Sequence, residues 1–214
     1  MLFEQYRPRS LDGIIGQDKA VSRARLVLNR PTGTIGRSFW ISGNSGQGKT
    51  TLALAIARES ADEFNIVEID AGQLTVSELA ELENEMRYKA LGTKAGRVYI
   101  VNEAHGLRKP VIRQLLVLLE RLPSHVTIIF TTTKAGQAKL FDDNEDSEPF
   151  LSRCAVITLT NQGLNKAFAS RAQEIARQEQ LDGKPIEAYE ALAARCKNNF
   201  RMMLSEIESG AMLD

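Results

Sequence analysis

The stretch Gly43-Asn44-Ser45-Gly46-Gln47-Gly48-Lys49-Thr50 limits the possible folds of this chain more than any other, because it satisfies GxxxxGK[ST] at every fixed position. The run before it, Arg37 to Ser42 (RSFWIS), is apolar and strand-like, and Thr51 to Ala57 opens a helix. Strand, glycine-rich loop and helix, in that order, make a phosphate cradle. Glycines let the backbone curl until its N–H groups converge on a phosphate chain, and the helix N-terminus adds partial positive charge. Lys49 then reaches the β- and γ-phosphates, and the Thr50 hydroxyl is placed to ligate Mg²⁺. The expectation is a nucleoside triphosphate site in an α/β domain.

The rest of the chain agrees with that fold class. Further strands are expected at Phe64 to Ile69, Arg97 to Asn102, Val126 to Thr131 and Ala155 to Leu159. Helices are expected over residues 18–29, Val76 to Lys89 and Pro110 to Leu122. In the last of these, Ile112, Leu115, Leu116 and Leu119 fall at helical spacing behind a first-turn proline. Strands alternating with helices predict a five-stranded parallel sheet covered on both faces. After residue 160 strands cease, and Leu164 to Gln178, Ile186 to Cys196 and Arg201 to Ile207 read as three helices. The expected division is an α/β nucleotide-binding domain over 1–160 and a small helical lid over 161–214. Asp142 to Glu148 is an acidic stretch, expected to be a solvated loop.

Composition excludes little but orders the partners. Lys+Arg and Asp+Glu stand at 27 each, so net charge does not point to nucleic acid, although a balanced total can hide a basic face. Arg87, Lys89, Lys94 and Arg97, then Arg108, Lys109 and Arg113, form two basic clusters at predicted helix ends. No run approaches the roughly 18 apolar residues a membrane span needs. The first ten residues lack the apolar core of a secretion signal. Cys154 and Cys196 make neither a disulfide framework nor a zinc site, and a cytoplasmic location is expected.

Four further places carry candidate chemistry. Val98 to His105 is an apolar strand ending in Asn102 and Glu103. If that strand lies next to the loop's, the first group orients Mg²⁺ and the second polarises an attacking water. Thr131, Thr132 and Thr133 end the next strand and offer hydroxyls to the γ-phosphate or the water. Arg153, in Ser152-Arg153-Cys154, stands on the domain edge, where it can enter a neighbour's site. Arg201, in NNFRMML, begins the last helix and can reach the γ-phosphate from the lid.

YRPRSLDGIIGQ, GNSGQGKTT, VYIVNEAHGL, VTIIFTTT, FLSRC and NNFRMML follow one another in the order seen in AAA+ ATPases. They most resemble clamp-loader subunits, namely the gamma/tau subunit of the bacterial replicase and the small subunits of replication factor C. FLSRC is the most specific piece. The resemblance implies ATP and Mg²⁺ as cofactors. It implies an adenine pocket lined by Tyr6, Arg7, Pro8 and Ile15, phosphates held by Gly43 to Thr51, and Glu103 as the catalytic carboxylate. Thr133, or Thr132 if the register is off by one, would be the first sensor. Arg201 would be the second sensor, and Arg153 an arginine finger acting in trans. Sites of that kind form between subunits, so the lone chain would be a poor ATPase. Primer-template DNA, a sliding clamp and other loader subunits are the implied partners. RPRSLDGIIGQ also resembles Holliday-junction motors, which makes a DNA-junction or fork-remodelling ATPase the alternative.

The chain departs from the pattern in three respects. Asn102 is neutral where aspartate is expected, which implies weaker Mg²⁺ handling and slow hydrolysis with binding retained. A subunit that binds nucleotide with little turnover is therefore a further reading. The zinc-binding cysteines of the gamma/tau subunit have no counterpart between the loop and Asn102. The resemblance also reaches Asp214 without the helical collar that fixes a five-subunit ring. Truncation, a collar supplied by partners, and a different assembly are the three expectations that follow.

Overall fold

The computed structural model describes residues 1–30, 37–133 and 147–213. Asp142 to Asp146, the greater part of the acidic stretch, lie outside the described residues.

Five strands form one parallel sheet: β1 (Arg37–Ser42), β2 (Ile66–Asp70), β3 (Arg97–Asn102), β4 (Val126–Thr132) and β5 (Cys154–Thr158), in the order β2-β3-β4-β1-β5. The central strands are buried on both faces, which is why RSFWIS and VTIIFTT run apolar without alternation. One face carries α2 (Asp18–Leu28) and α3 (Lys49–Ser60), packed with Phe39, Ile41, Ile100 and Ile129. The other carries α4 (Val76–Glu85) and α5 (Lys109–Glu120), packed with Trp40, Tyr99, Ile128 and Phe130. A short α6 (Ser147–Ser152) adds Phe150, whose ring meets Trp40 edge-on at 5.5 Å. A separate apolar cluster joins α7 (Leu164–Gln178), α8 (Ile186–Arg195) and α9 (Phe200–Glu208). Leu2 of the N-terminal helix α1 (Leu2–Gln5) is buried in it, so the first residues of the chain pack on the last helices.

Several element boundaries shift by a residue or more from expectation, and two of the shifts have a clear cause. The strand expected from Phe64 starts at Ile66, because Asn65 closes a tight turn: its N–H bonds to the Asp62 carbonyl and its side chain donates to the Leu91 carbonyl at 2.7 Å. Phe64 is left outward, 71% exposed. The helix expected to reach Lys89 ends at Glu85. Its start is secured by a Thr75–Glu78 capping box, but Arg87 and Tyr88 bond to carbonyls three residues back and tighten out of α geometry.

A parallel sheet brings all its carboxyl ends to one edge, where ligands of such folds bind. Here that edge presents the glycine-rich loop after β1, Asn102 and Glu103 after β3, and Thr131 to Thr133 at the end of β4.

Candidate nucleotide site

β1 ends at Ser42, and the chain turns through Gly43 to Gly48 into α3, with Lys49 as its first residue. Gly48 is the N-cap at φ 93°, and Gly46 sits at φ 72°, conformations that L side chains resist. Gln47, buried, braces the loop from inside: its side-chain carbonyl accepts the Asn44 N–H at 2.6 Å, and its amide donates to Asn161 at 2.9 Å. Lys49 is buried too, and its ammonium donates to the Asn44 carbonyl at 3.0 Å. Burial lowers its pKa; Glu103 opposes that shift and Arg201 adds to it. The negative charge of a triphosphate would act in the opposite direction and favour the ammonium.

The loop faces a cleft of about 1060 Å³, counting its open mouth. Ser45 to Thr51 form its floor, with Glu103 and Arg201 at the same end. Tyr6, Arg7, Pro8 and Ile15 line the rest, as expected of a base pocket, together with Phe3, Ile14, Phe168, Phe200 and Leu204. The Phe168 and Phe200 rings lie 4.9 Å apart, and the Arg201 guanidinium sits 5.2 Å over the Phe3 ring. The cleft thus pairs an apolar, aromatic half with a cationic, N–H-rich half, the two needs of a nucleotide. Tyr6 donates to Glu179 at 2.5 Å, fastening the N-terminal segment to the end of α7.

The lid touches the loop directly. Lys197 and Asn198 adopt consecutive left-handed conformations and turn the chain so that Phe200 N–H bonds to the Gly46 carbonyl at 3.3 Å. A Cβ on Gly46 would lie 1.9 Å from the Asn199 side-chain oxygen, so only glycine lets the lid approach this closely.

The strand carrying Asn102 is not next to the loop's strand; β4 lies between them. Asn102 still reaches the loop, through Thr131 near the end of β4 and Thr50 in the first turn of α3. Its Oδ1 accepts from Thr131 at 2.9 Å and from Thr50 at 3.3 Å, while its Nδ2 donates to Glu68 of β2 at 2.9 Å. Thr50 Oγ1 and Asn102 Oδ1, two hard oxygens side by side, fit the protein's share of a Mg²⁺ site, since that ion keeps waters and takes the rest from phosphates. They are the residues that would hold it; bound there, the ion neutralises charge on the β- and γ-phosphates. Among the described residues no three His, Cys, Asp or Glu side chains converge as a metal cage.

Glu103 follows at φ 53°, left-handed for a non-glycine residue, which turns its carboxylate out of strand geometry and into the cleft wall. His105 Nδ1 lies 3.4 Å from that carboxylate and 3.3 Å from the Thr132 hydroxyl. Of the threonines, Thr131 contacts Asn102 and Thr132 faces His105. Thr133, the first choice as sensor, stands half-buried just past β4 and does not line the cleft. Gly43 and Asn44 also lie behind the cleft wall: the Gly43 N–H is bonded to the Thr132 carbonyl.

Arg153 is elsewhere. It precedes Cys154, the first residue of β5, whereas the cleft lies at the strand's other end. Five extended residues put it about 16 Å from its own loop. Its guanidinium is held by Glu120 and the Pro149 carbonyl. The two basic clusters separate as well. Arg97 starts β3 and pairs with Glu85 at 3.6 Å, and Lys94 donates to the Arg58 carbonyl, while Arg108, Lys109 and Arg113 stand exposed where α5 begins, at the cleft edge of the sheet.

Sequence reading missed Phe3, Ile14, Phe168, Arg171, Phe200 and Leu204 on the cleft wall. Phe200 had a signal, since it adjoins Arg201; the others depend on how the termini fold together. Glu68 had none.

Residues 39–179 match the family described as ATPase family associated with various cellular activities (AAA). This chain belongs to the AAA family. It is 28% identical over 207 residues to DNA polymerase III subunit gamma/tau of Mycoplasma pneumoniae, across 85% of this chain and 28% of that protein. It is 26% identical over 216 residues to the replication factor C small subunit of Methanothermobacter thermautotrophicus, across 98% of this chain and 63% of that one. The AAA chain therefore spans less than two thirds of these relatives. Among solved structures, the Thermotoga maritima RuvB Holliday junction branch migration motor has the same fold, with TM-score 0.70 and 24% identity over 95% of this chain and 64% of that one. A mutant form of the same protein superposes with TM-score 0.75 at 22% identity, over 95% and 65%. Among the described residues no helix is long and apolar enough to cross a membrane.

Proposed function

We propose that this chain is an ATP-driven, clamp-loader-like subunit whose ATP site is completed by a neighbour. The observation that carries this reading is the division of the site. Lys49, Glu103 and Arg201 share one cleft, while Arg153 stands at the opposite end of β5 on the domain's edge. Charge on a transferring phosphoryl group is stabilised by cations from several directions. At the phosphate end the chain supplies Lys49 and Arg201 from within, and in this reading Arg153 supplies a further cation to another copy or a related subunit. The similarity to a replication factor C small subunit over nearly the whole chain supports the same assignment.

In this reading ATP lies with its base among Phe3, Tyr6, Ile15 and Phe200 and its phosphates on Ser45 to Thr51. Glu103 takes the proton of the attacking water. Arg201, at the start of α9, transmits the state of the γ-phosphate to the lid. The exposed Arg108, Lys109 and Arg113, at a helix N-terminus, track a DNA phosphate backbone. Sliding clamp and other loader subunits are the proposed partners.

The test is steady-state ATP turnover with Mg²⁺, measured against protein concentration, with and without primed DNA. Turnover per chain that rises with concentration and with primed DNA supports the proposal. Stimulation by a four-way junction alone would favour the fork-remodelling reading that RPRSLDGIIGQ also allows. ATP binding without turnover in any mixture would favour a subunit that only senses nucleotide.

A further inference from the structure

A carboxamide has one end that can face a cation and one that cannot. Asn102 stands where its Oδ1 is needed beside Thr50, and its two hydroxyl neighbours do not decide which end arrives there. Thr50 and Thr131 can each donate to Oδ1 or accept from Nδ2. A carboxylate can only accept. Glu68 Oε2 lies 2.9 Å from Nδ2, and it alone of the three partners fixes the sense of the amide.

The sheet makes that contact. Asp70 of β2 pairs with Asn102 of β3, and Glu68 pairs with Ile100, so Glu68 and Asn102 are diagonal neighbours on one face. The other carboxylate at this end of β2, Asp70, accepts the Gly72 N–H at 2.8 Å and is thereby engaged locally. Glu68 is exposed, with no part in the cores, so its contact with Asn102 is separable from folding.

We propose that Glu68 is a positioning residue for the metal side of this site: it holds the Asn102 amide with Oδ1 toward Thr50 and Nδ2 away. This deepens the nucleotide reading above and rests on it. An aspartate at this position presents equivalent oxygens and needs no such partner; an asparagine does. Glu68 therefore matters because its partner on β3 is neutral.

The test uses binding, not turnover. The affinity of a non-hydrolysable ATP analogue is measured in EDTA and in Mg²⁺, and the ratio gives the gain due to the ion. Glu68→Ala is expected to cut that gain about tenfold, as loss of an orienting partner commonly does. Affinity in EDTA and the melting temperature should stay at wild-type values. Glu68→Gln, whose amide can donate as readily as accept and so leaves the sense of Asn102 open, should also lose part of the gain. In an Asn102→Asp background, Glu68→Ala should no longer reduce it. The proposal is overturned if Glu68→Ala leaves the gain intact, if Glu68→Gln keeps it in full, or if the loss persists unchanged in the Asn102→Asp background. A separate control tests the underlying reading: affinity in EDTA that is indifferent to Lys49→Ala would remove the phosphate site itself, and the inference with it.

Discussion

At the scale of the residue, this site is built from groups held in states they would not choose alone. Lys49 is a buried cation whose pKa is lowered below 10.5, first by burial and further by Arg201, against the pull of Glu103. The unfolded chain therefore binds this proton more tightly than the folded one. Between the lowered value and 10.5 the unfolded state holds more protons, so stability rises with pH through that window. Lys49→Met removes the penalty. The variant is expected to unfold at higher denaturant than the wild type at neutral pH, with the gap closing as the pH approaches 10.5. A gap that widens with pH would contradict this sign. Glu103 is held likewise, at positive φ. Lys49, Thr50 and Glu103 were legible in sequence because each sits at a fixed offset within one local motif. Glu68 and Phe3 were not. Glu68 joins the site through the β2–β3 register, and Phe3 through docking of the N-terminus on the lid; neither is a local property.

At the scale of the element, the lid is coupled to the loop by backbone proximity. Gly46 and Gly163 share φ +72°, but a Cβ on Gly46 would run into Asn199, whereas one on Gly163 would meet nothing within 4 Å. Gly163→Ala should cost only the left-handed strain, about 1 kcal/mol. Gly46→Ala adds displacement of Asn199, which caps α9 by accepting the Met202 N–H at 3.1 Å, and should cost about 1 kcal/mol more. The expected thermal shifts are roughly 3 °C and 6 °C. Only Gly46→Ala should weaken ATP binding, and equal effects from the two variants would undo the coupling. The elements themselves were mostly legible from period and punctuation. The exceptions were set by tertiary partners. Asn65, bonding to Leu91, shortened β2 from its front, and β4 rather than β3 took the place beside β1. The short α6 had no periodic signal to show, being anchored chiefly by Phe150 against Trp40 and Phe130.

At the scale of the whole molecule, two ends of the sheet divide the proposed work. In the proposed reading the cleft takes base, phosphates and metal, while the opposite end of β5 presents Arg153, paired with Glu120. Mixed assemblies probe that arrangement. Lys49→Ala protein, expected to bind ATP weakly, still brings Arg153; Arg153→Ala protein, expected to bind ATP, lacks the arginine. Together they should regain part of the turnover each lacks, and no recovery in mixtures shown to co-assemble would count against action in trans. Underneath lies the claim that the cleft between loop and lid holds ATP. An equilibrium titration of ATP with Mg²⁺ into the wild type and into Lys49→Ala tests it most directly. A buried ammonium bonded to phosphate contributes about 2–3 kcal/mol, so the variant should bind some tens- to a hundredfold more weakly with an unchanged circular dichroism spectrum. Equal affinity in the two proteins would contradict the account at its base.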